Sequence, residues 1–335
     1  MAVTILYPEA LYPDDREERR IFGPDVNIVF RDTKELSELS DADCAAADGL
    51  MILRQAVTAA DFARFTSLRC VVRMGVGYDR IDRKAAAAHQ VMVCNVPDYG
   101  TTEVADHAIA MALALRRGLL LHHHAQRQSP PAPWTVIRDP MVRRADVTTF
   151  GILGMGRIAT AVALRAKAFG YRVVFFDPYV PNGVDRALGI TRVPTIEDLL
   201  RQSNTLSIHA PLTVETKGLL TRELLSLLPR GAVLVNTARG PIVDIDALHD
   251  LLKSGHLSAA GLDVVPVEPP VEPVPVLLQA YRDRAPWTEG RLIVTPHSAF
   301  FTPEAWEDIR TKSAETIFAA LLGPRPQNLI TPEMF

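Results

Sequence analysis

The amino-acid sequence predicts an α/β protein of two β/α units with parallel sheets, the second larger and nested inside the first. Three observations carry this. Short apolar runs alternate with amphipathic ones along most of the 335 residues, the pattern of strands alternating with helices. Between residues 148 and 177 a strand, a glycine-rich turn, a helix and a second strand follow one another directly. After the second series of strands, the chain returns to a long helical run from Thr302 to Leu322.

In the first unit, Val3 to Tyr7, Asn27 to Phe30, Gly49 to Leu53, Cys70 to Met74 and Val91 to Asn95 read as strands. Thr58 caps a helix ending at Phe65, and Ile81 to His89 forms another. Thr101 to His124 is one long helical pattern, mostly Ala, Leu and Met and therefore buried, with Glu103 and Asp106 in its first turns. His122, His123 and His124 point in different directions on a helix, so they form a polar helix end and no metal site is expected. Gln128 to Pro140 is a proline-rich loop or arm.

In the second unit, Thr205 to His209, Ala232 to Asn236, Ala259 to Val264 and Leu292 to Thr295 read as strands. Thr191 to Val193 makes a short one. Helices fall at Asp185 to Leu188, Thr221 to Leu228 and Asp244 to Ser254, and Thr195 with Asp198 makes a capping box.

Net charge is −3 and no long basic run occurs, which argues against nucleic-acid or membrane binding through bulk charge. The three cysteines, Cys44, Cys70 and Cys94, lie far apart and read as buried thiols in a reducing compartment. The segment from Met1 to Pro8 lacks the charged and long apolar parts of a signal peptide. A cytoplasmic protein is expected.

The stretch starting at Thr148 is the centre of the chain. Gly154 and Gly156 stand where the backbone turns tightly after a buried strand, and Ala159 takes the third small-residue position. The helix from Arg157 to Phe169 begins at that turn, so its first N–H groups and its dipole favour a pyrophosphate there. The strand from Arg172 to Phe176 then delivers Asp177, a carboxylate placed to accept from an adenosine ribose. The expected cofactor is NAD. A tight βα turn without ligand is the bland alternative, and it leaves Asp177 to start a turn before Pro178.

Ligands in open parallel sheets bind beyond the carboxyl ends of the strands. Arg239, Glu268 and His297 stand at such ends. A histidine moves a proton near neutral pH, a carboxylate orients it, and an arginine fork polarises a carbonyl. Beside a dinucleotide, that set suits hydride transfer between nicotinamide and a 2-oxo or 2-hydroxy acid. Singly, each residue also has a purely structural reading.

The sequence resembles the D-isomer-specific 2-hydroxyacid dehydrogenases over nearly its whole length. The resemblance rests on Arg73 to Asp79, Gly151 to Ala159, His209 to Leu212, Leu234 to Gly240, Gly261 to Asp263 and Thr295 to His297. Within that family it looks most like the branch containing the C-terminal-binding proteins, through Ala161 to Tyr171, Asp177 to Tyr179 and Gly183 to Gly189.

The resemblance implies a Rossmann-type NAD-binding domain, 101–300, inserted into a flavodoxin-like substrate-binding domain, 1–100 with 301–335. It implies His297 as acid/base, Glu268 as its partner and Arg239 as substrate clamp. Arg73 with the amides of Gly75, Val76 and Gly77 would bind the substrate carboxylate. Gly154, Met155, Gly156, Arg157 and Ile158 would hold the pyrophosphate and Asp177 the ribose. His209, Ala210, Pro211, Thr237, Ala238, Arg239 and Asp263 would complete the cofactor site. Phe300 stands where the C-terminal-binding proteins carry a tryptophan facing the substrate, and Tyr78 and Met74 could add apolar surface for a substrate tail. A homodimer through the 101–145 region is implied.

Two features leave alternatives open. The segment between Glu268 and His297 is long and rich in proline, which keeps Glu272 as a fallback partner for the histidine. A regulatory, NAD(H)-sensing protein like the corepressors of that branch is the rival to an enzyme.

Overall fold

The structure is a computed structural model that describes residues 2–332. The chain falls into two compact units. One runs to Gly100 and resumes at Phe301, and the other is Thr101–Phe300.

In the first unit the chain alternates β1 (Thr4–Tyr7), α1 (Arg16–Phe22), β2 (Asn27–Phe30), α2 (Asp41–Ala46), β3 (Gly49–Ile52), α3 (Ala59–Arg64), β4 (Cys70–Arg73), α4 (Arg83–Ala88) and β5 (Met92–Asn95). All pairings are parallel, in the order β2-β1-β3-β4-β5. Apolar strand residues such as Leu50, Ile52, Val71 and Val93 pack with helix residues Phe62 and Ala86 in one core. The order reverses between β1 and β3, where a parallel sheet opens a crevice at its carboxyl edge. Glu9 closes this one: its carboxylate accepts from the N–H of Leu53 at 2.6 Å and of Arg54 at 3.0 Å. The chain's last helix, Pro303–Leu321, is tied to α1 by Arg310, which donates to the fully buried Glu18 at 2.6 Å. Cys44, Cys70 and Cys94 are buried free thiols.

The second unit opens with α5 (Thr101–Arg116) and α6 (Leu119–Arg127). The single helix expected over Thr101 to His124 is therefore two. Gly118 at φ 62° takes the left-handed conformation that ends a helix, and its N–H bonds Leu115 O at 2.8 Å. The histidines after the break are engaged: His122 Nδ1 lies 2.7 Å from Gly118 O, and His124 Nδ1 pairs with Glu289 at 2.7 Å.

The chain continues through β6 (Thr149–Leu153), α7 (Arg157–Ala168), β7 (Arg172–Phe176), α8 (Val184–Leu188), β8 (Thr191–Arg192), α9 (Ile196–Gln202), β9 (Thr205–Ile208) and α10 (Arg222–Leu225). It ends with β10 (Ala232–Asn236), α11 (Ile245–Lys253), β11 (Leu257–Leu262), α12 (Val276–Arg282) and β12 (Leu292–Val294). The parallel sheet runs β12-β11-β10-β9-β6-β7-β8. Alternate strand residues enter different cores. Phe150, Ile152, Val233 and Val235 pack with α5 and α7, while Leu206, Ile208 and Leu234 pack with α11. Both faces are thus buried, which explains strands that read as unbroken apolar runs.

The proline-rich segment after Glu268 includes a helix, α12, whose Leu277 and Leu278 are buried, and Trp287 packs against the same core as Leu277.

Candidate active site

The switch point of the second sheet lies between β6 and β9, and the glycine turn stands at its carboxyl edge. Gly154 has φ 84°, and a Cβ there would fall 2.7 Å from Ala210 N and 2.8 Å from Ala210 Cα. Only glycine lets the turn after β6 come this close to the turn after β9. Gly156 has no heavy atom within 4 Å of its would-be Cβ, so the start of α7 is uncovered. The first N–H groups of that helix have no intrahelical acceptor. Its inward residues Ala159, Val162, Ala163 and Ala166 recur at helical spacing and are buried, which fixes the axis that points its N-terminus at the turn.

Asp177, just past β7, reaches back to the same turn. Its Oδ2 accepts from Met155 N at 2.7 Å and its Oδ1 from Tyr179 N at 2.8 Å and Val180 N at 3.3 Å. A carboxylate offers about four lone-pair positions, so one remains open on Oδ2. Tyr179 in turn donates its hydroxyl to Glu215 in the loop after β9.

His209 Nε2 lies 2.8 Å from Ser207 Oγ, and desolvation lowers its pKa to about 4. The ring is neutral at neutral pH. Ala210 is buried and Pro211 exposed, its carbonyl accepting from Thr216 Oγ1 at 2.6 Å. After β10, Asn236 closes a tight loop by donating to Arg239 O at 3.0 Å and accepting from Ala238 N at 3.0 Å. The Thr237 hydroxyl in that loop is buried without a hydrogen-bond partner. Arg239 is half-buried and donates to Ala238 O at 2.7 Å.

His297 has φ 51°, a conformation costing a non-glycine residue about 1–3 kcal/mol. It persists because one buried carboxylate organises the whole turn. Asp263, at the end of β11, accepts from Ser298 N at 2.9 Å, Ala299 N at 3.1 Å and Thr295 Oγ1 at 2.5 Å, and its main-chain oxygen accepts from His297 N at 2.8 Å. His297 Nδ1 lies 2.6 Å from Glu268 Oε2, and Glu268 Oε1 accepts from Val265 N at 2.9 Å. Burial alone would raise the Glu268 pKa. The hydrogen bond and charge of His297, the Val265 N–H and the Arg239 charge outweigh it, and the net direction is down. Glu272 instead faces Arg282, at 3.4 Å. The Phe300 ring stands edge-on to the His297 ring, centroids 6.5 Å apart.

The remaining sequence candidates belong to the first unit. Arg73 ends β4 half-buried, and the turn that follows is held by Met74 N to Ile52 O at 2.7 Å and Asn95 Nδ2 to Val76 O at 2.7 Å. Gly75 is buried, and Val76 and Gly77 are half-buried. Met74 is fully buried, so it offers no surface to a substrate tail, and the ring of Tyr78 lies under the Arg83 guanidinium at 5.0 Å. The organising role of Asp263 had no local signal in the sequence, because it acts on a turn 32 to 36 residues away.

These features fit a dinucleotide. The Gly154 contact, the uncovered helix start, the open lone pair of Asp177 and the unpartnered Thr237 hydroxyl all lie at the carboxyl ends of β6, β7 and β10. Residues 109–299 match the D-isomer specific 2-hydroxyacid dehydrogenase, NAD binding domain family. A glyoxylate reductase of Korarchaeum cryptofilum is 36% identical over 295 residues, 87% of this chain and 84% of that protein. A D-3-phosphoglycerate dehydrogenase of Methanocaldococcus jannaschii is 32% identical over 331 residues, 98% of this chain but only 59% of the longer relative. Among solved structures, an acyclic imino acid reductase in complex with NADPH and D-Arg superposes with a TM-score of 0.83 at 27% identity, covering 98% of this chain and 100% of that one. The chain belongs to the D-isomer specific 2-hydroxyacid dehydrogenase family and is an NAD-dependent oxidoreductase of that family.

Proposed function

We propose that the protein interconverts a 2-oxo acid and a D-2-hydroxy acid with His297 as acid/base. The hydrogen bond between His297 Nδ1 and Glu268 Oε2 carries this reading. With Nδ1 engaged, Nε2 is the nitrogen that presents a proton to the substrate oxygen. NADH, when bound, supplies the hydride. Arg239 polarises the carbonyl, and Arg73 with the amides of Gly75, Val76 and Gly77 binds the substrate carboxylate. As the carbonyl oxygen gains charge, His297 Nε2 gives it the proton, and the Glu268 carboxylate stabilises the imidazolium that waits to do so. Oxidation runs the same steps in reverse, with neutral His297 taking the hydroxyl proton.

The Phe300 ring beside His297 favours a substrate with an apolar tail. Burying one or two methylenes there gives about 1–2 kcal/mol. Activity with glyoxylate, hydroxypyruvate, phenylpyruvate and 4-methylthio-2-oxobutyrate tests this. The last two should have the higher kcat/KM, and Phe300→Ala should narrow the gap while sparing glyoxylate. Glyoxylate or hydroxypyruvate as best substrate would sink the pocket assignment.

The stretches Ala161 to Tyr171, Asp177 to Tyr179 and Gly183 to Gly189 support placement near the C-terminal-binding protein branch, with a regulatory role as the second reading. Capture by an immobilised Pro-x-Asp-Leu-Ser peptide, with negligible turnover on all four acids, would favour that role. We further propose a homodimer in the cytoplasm. Leu119, Trp134 and Val136 in the 101–145 region are 59%, 93% and 73% exposed, an apolar set suited to a second copy. No described helix is long and apolar enough to cross a membrane. Sedimentation at several concentrations tests the dimer, and cell fractionation the compartment.

A further inference from the structure

We infer that His107, on α5, is a positioning residue for His297 that acts through Thr295 and Asp263. This rests on the reading of His297 as acid/base. His107 Nε2 lies 3.1 Å from Thr295 Oγ1, and Thr295 Oγ1 lies 2.5 Å from Asp263 Oδ1. A hydroxyl has one hydrogen to give. The Asp263 carboxylate can only accept, so Thr295 gives its hydrogen there and must accept from His107. His107 therefore carries its proton on Nε2, and the hydrogen bonds run in one direction, from His107 to Thr295 to Asp263.

The carboxylate at the end of that chain also holds the N–H groups of Ser298 and Ala299, the residues directly after His297. Asp263 is 2% exposed, and the His107 ring lies 3.9 Å from its Oδ1. Each donor that points at a buried carboxylate fixes its orientation, and Thr295, held by His107, is one of the three on Asp263. His107 thus stiffens the acceptor on which the left-handed turn at His297 depends. Its own helix adds two other charged groups nearby in sequence, and both are engaged elsewhere: Glu103 accepts from Thr102 Oγ1 at 2.8 Å and Asp106 pairs with Arg165 at 2.6 Å. At His297 itself, Glu268 lies 2.6 Å from Nδ1, and the Arg239 charge acts on Glu268.

Losing the donor should let the 295–299 turn relax and misplace the His297 ring relative to Glu268. A misplacement on the scale of an ångström costs up to about a hundredfold in rate. The experiment uses the full-length enzyme with NADH and the best 2-oxo acid of the panel. His107→Leu is expected to lower kcat about tenfold or more, with the NADH dissociation constant, read by fluorescence, and the substrate KM nearly unchanged. Its alkaline limb for reduction should move to lower pH, because a displaced ring is less well served by Glu268. His107→Gln keeps an N–H donor at similar reach and should recover most of the lost rate. Thr295→Val breaks the same chain in its middle, so the double variant His107→Leu/Thr295→Val should be no slower than the worse single one.

An unchanged kcat in His107→Leu, a loss shared by His107→Gln, or additive losses in the double variant would each overturn the inference. Failure of the underlying reading looks different: His297→Ala would then retain full turnover. An inactive His297→Ala beside a fully active His107→Leu sinks the positioning role alone.

Discussion

A histidine that moves a proton must keep one ring nitrogen for the substrate and give the other a fixed partner. His297 has that partner in Glu268, at 2.6 Å. His297→Ala or Arg239→Ala should cut turnover by roughly 100- to 10,000-fold, with NADH affinity nearly intact by fluorescence titration. Glu268→Gln should cost less and move the alkaline limb of reduction to lower pH, since an amide stabilises imidazolium poorly. An unchanged profile would remove Glu268 from the mechanism. Because its pKa is lowered, the pair's contribution is in place at neutral pH and is lost only as pH falls through the depressed value. His209 acts in the same direction, at higher pH. Its folded pKa, about 4, lies below the ordinary 6.5, so below that ordinary value the unfolded chain binds a proton that the folded chain does not. Stability should therefore fall on acidification from about pH 6.5 to 4, and less steeply in His209→Gln when melting temperatures are compared. At Asp177 one lone pair remains for a ribose hydroxyl, and a 2′-phosphate would meet its charge. NADH should exceed NADPH in kcat/KM by about tenfold or more. Equal efficiency would refute this. Arg239, His297 and Asp177 each stand just past a strand beside a proline or glycine, which made them legible in the sequence. Asp263 did not show its role, because a carboxylate that braces a distant turn reads like any other strand-end acid.

Secondary-structure elements carry the site through close approach more than through side-chain chemistry. A methyl group on Gly154 would press on the Ala210 backbone at 2.7 Å and require a φ of 84°. Gly154→Ala should lower NADH affinity by at least about tenfold, because the turns after β6 and β9 cannot both stay in place. Wild-type affinity in a titration would show that the turn yields. Arg116, at the end of α5, is buried and donates to Thr205 Oγ1 at 2.9 Å, Met141 O at 3.2 Å and Gly231 O at 3.3 Å. Burial lowers its pKa to about 10. Arg116→Ala should destabilise the second unit by about 3 kcal/mol in urea unfolding, since it strands polar acceptors and opens a cavity. At this scale the pattern of apolar residues located all the long strands and most helices to within a few residues. It missed the break at Gly118 because both flanks of that glycine are strongly helical and only the backbone conformation separates them. It missed α12 because prolines at either side mask a short apolar helix that fills the core.

Over the whole molecule, the two sheets share a parallel architecture but differ in what meets their switch points. The nesting of one series in the other was legible because the strand-helix alternation brackets a single glycine fingerprint. The plug in the first sheet was not, since Glu9 lies far in sequence from the Leu53 and Arg54 amides it serves. That plug has a thermodynamic consequence. The first unit has a carboxylate of its own, Glu9, tethered to the chain at that point and present at a fixed effective concentration, so the occupancy of its switch point does not depend on dissolved cofactor. The second unit leaves that place to a diffusible molecule, and mass action then ties its stability to the supply: a ligand at a hundred times its dissociation constant adds about 2.7 kcal/mol. Hydrogen exchange measured with and without NADH should show this as an asymmetry. Amides of β6, β9 and β10 should gain protection in proportion to the logarithm of cofactor concentration, while those of β1, β3 and β4 stay level. Equal gains in both sets would mean that the units open together. In a cell, a fall in the cofactor pool would then soften one half of the protein and leave the other unaltered.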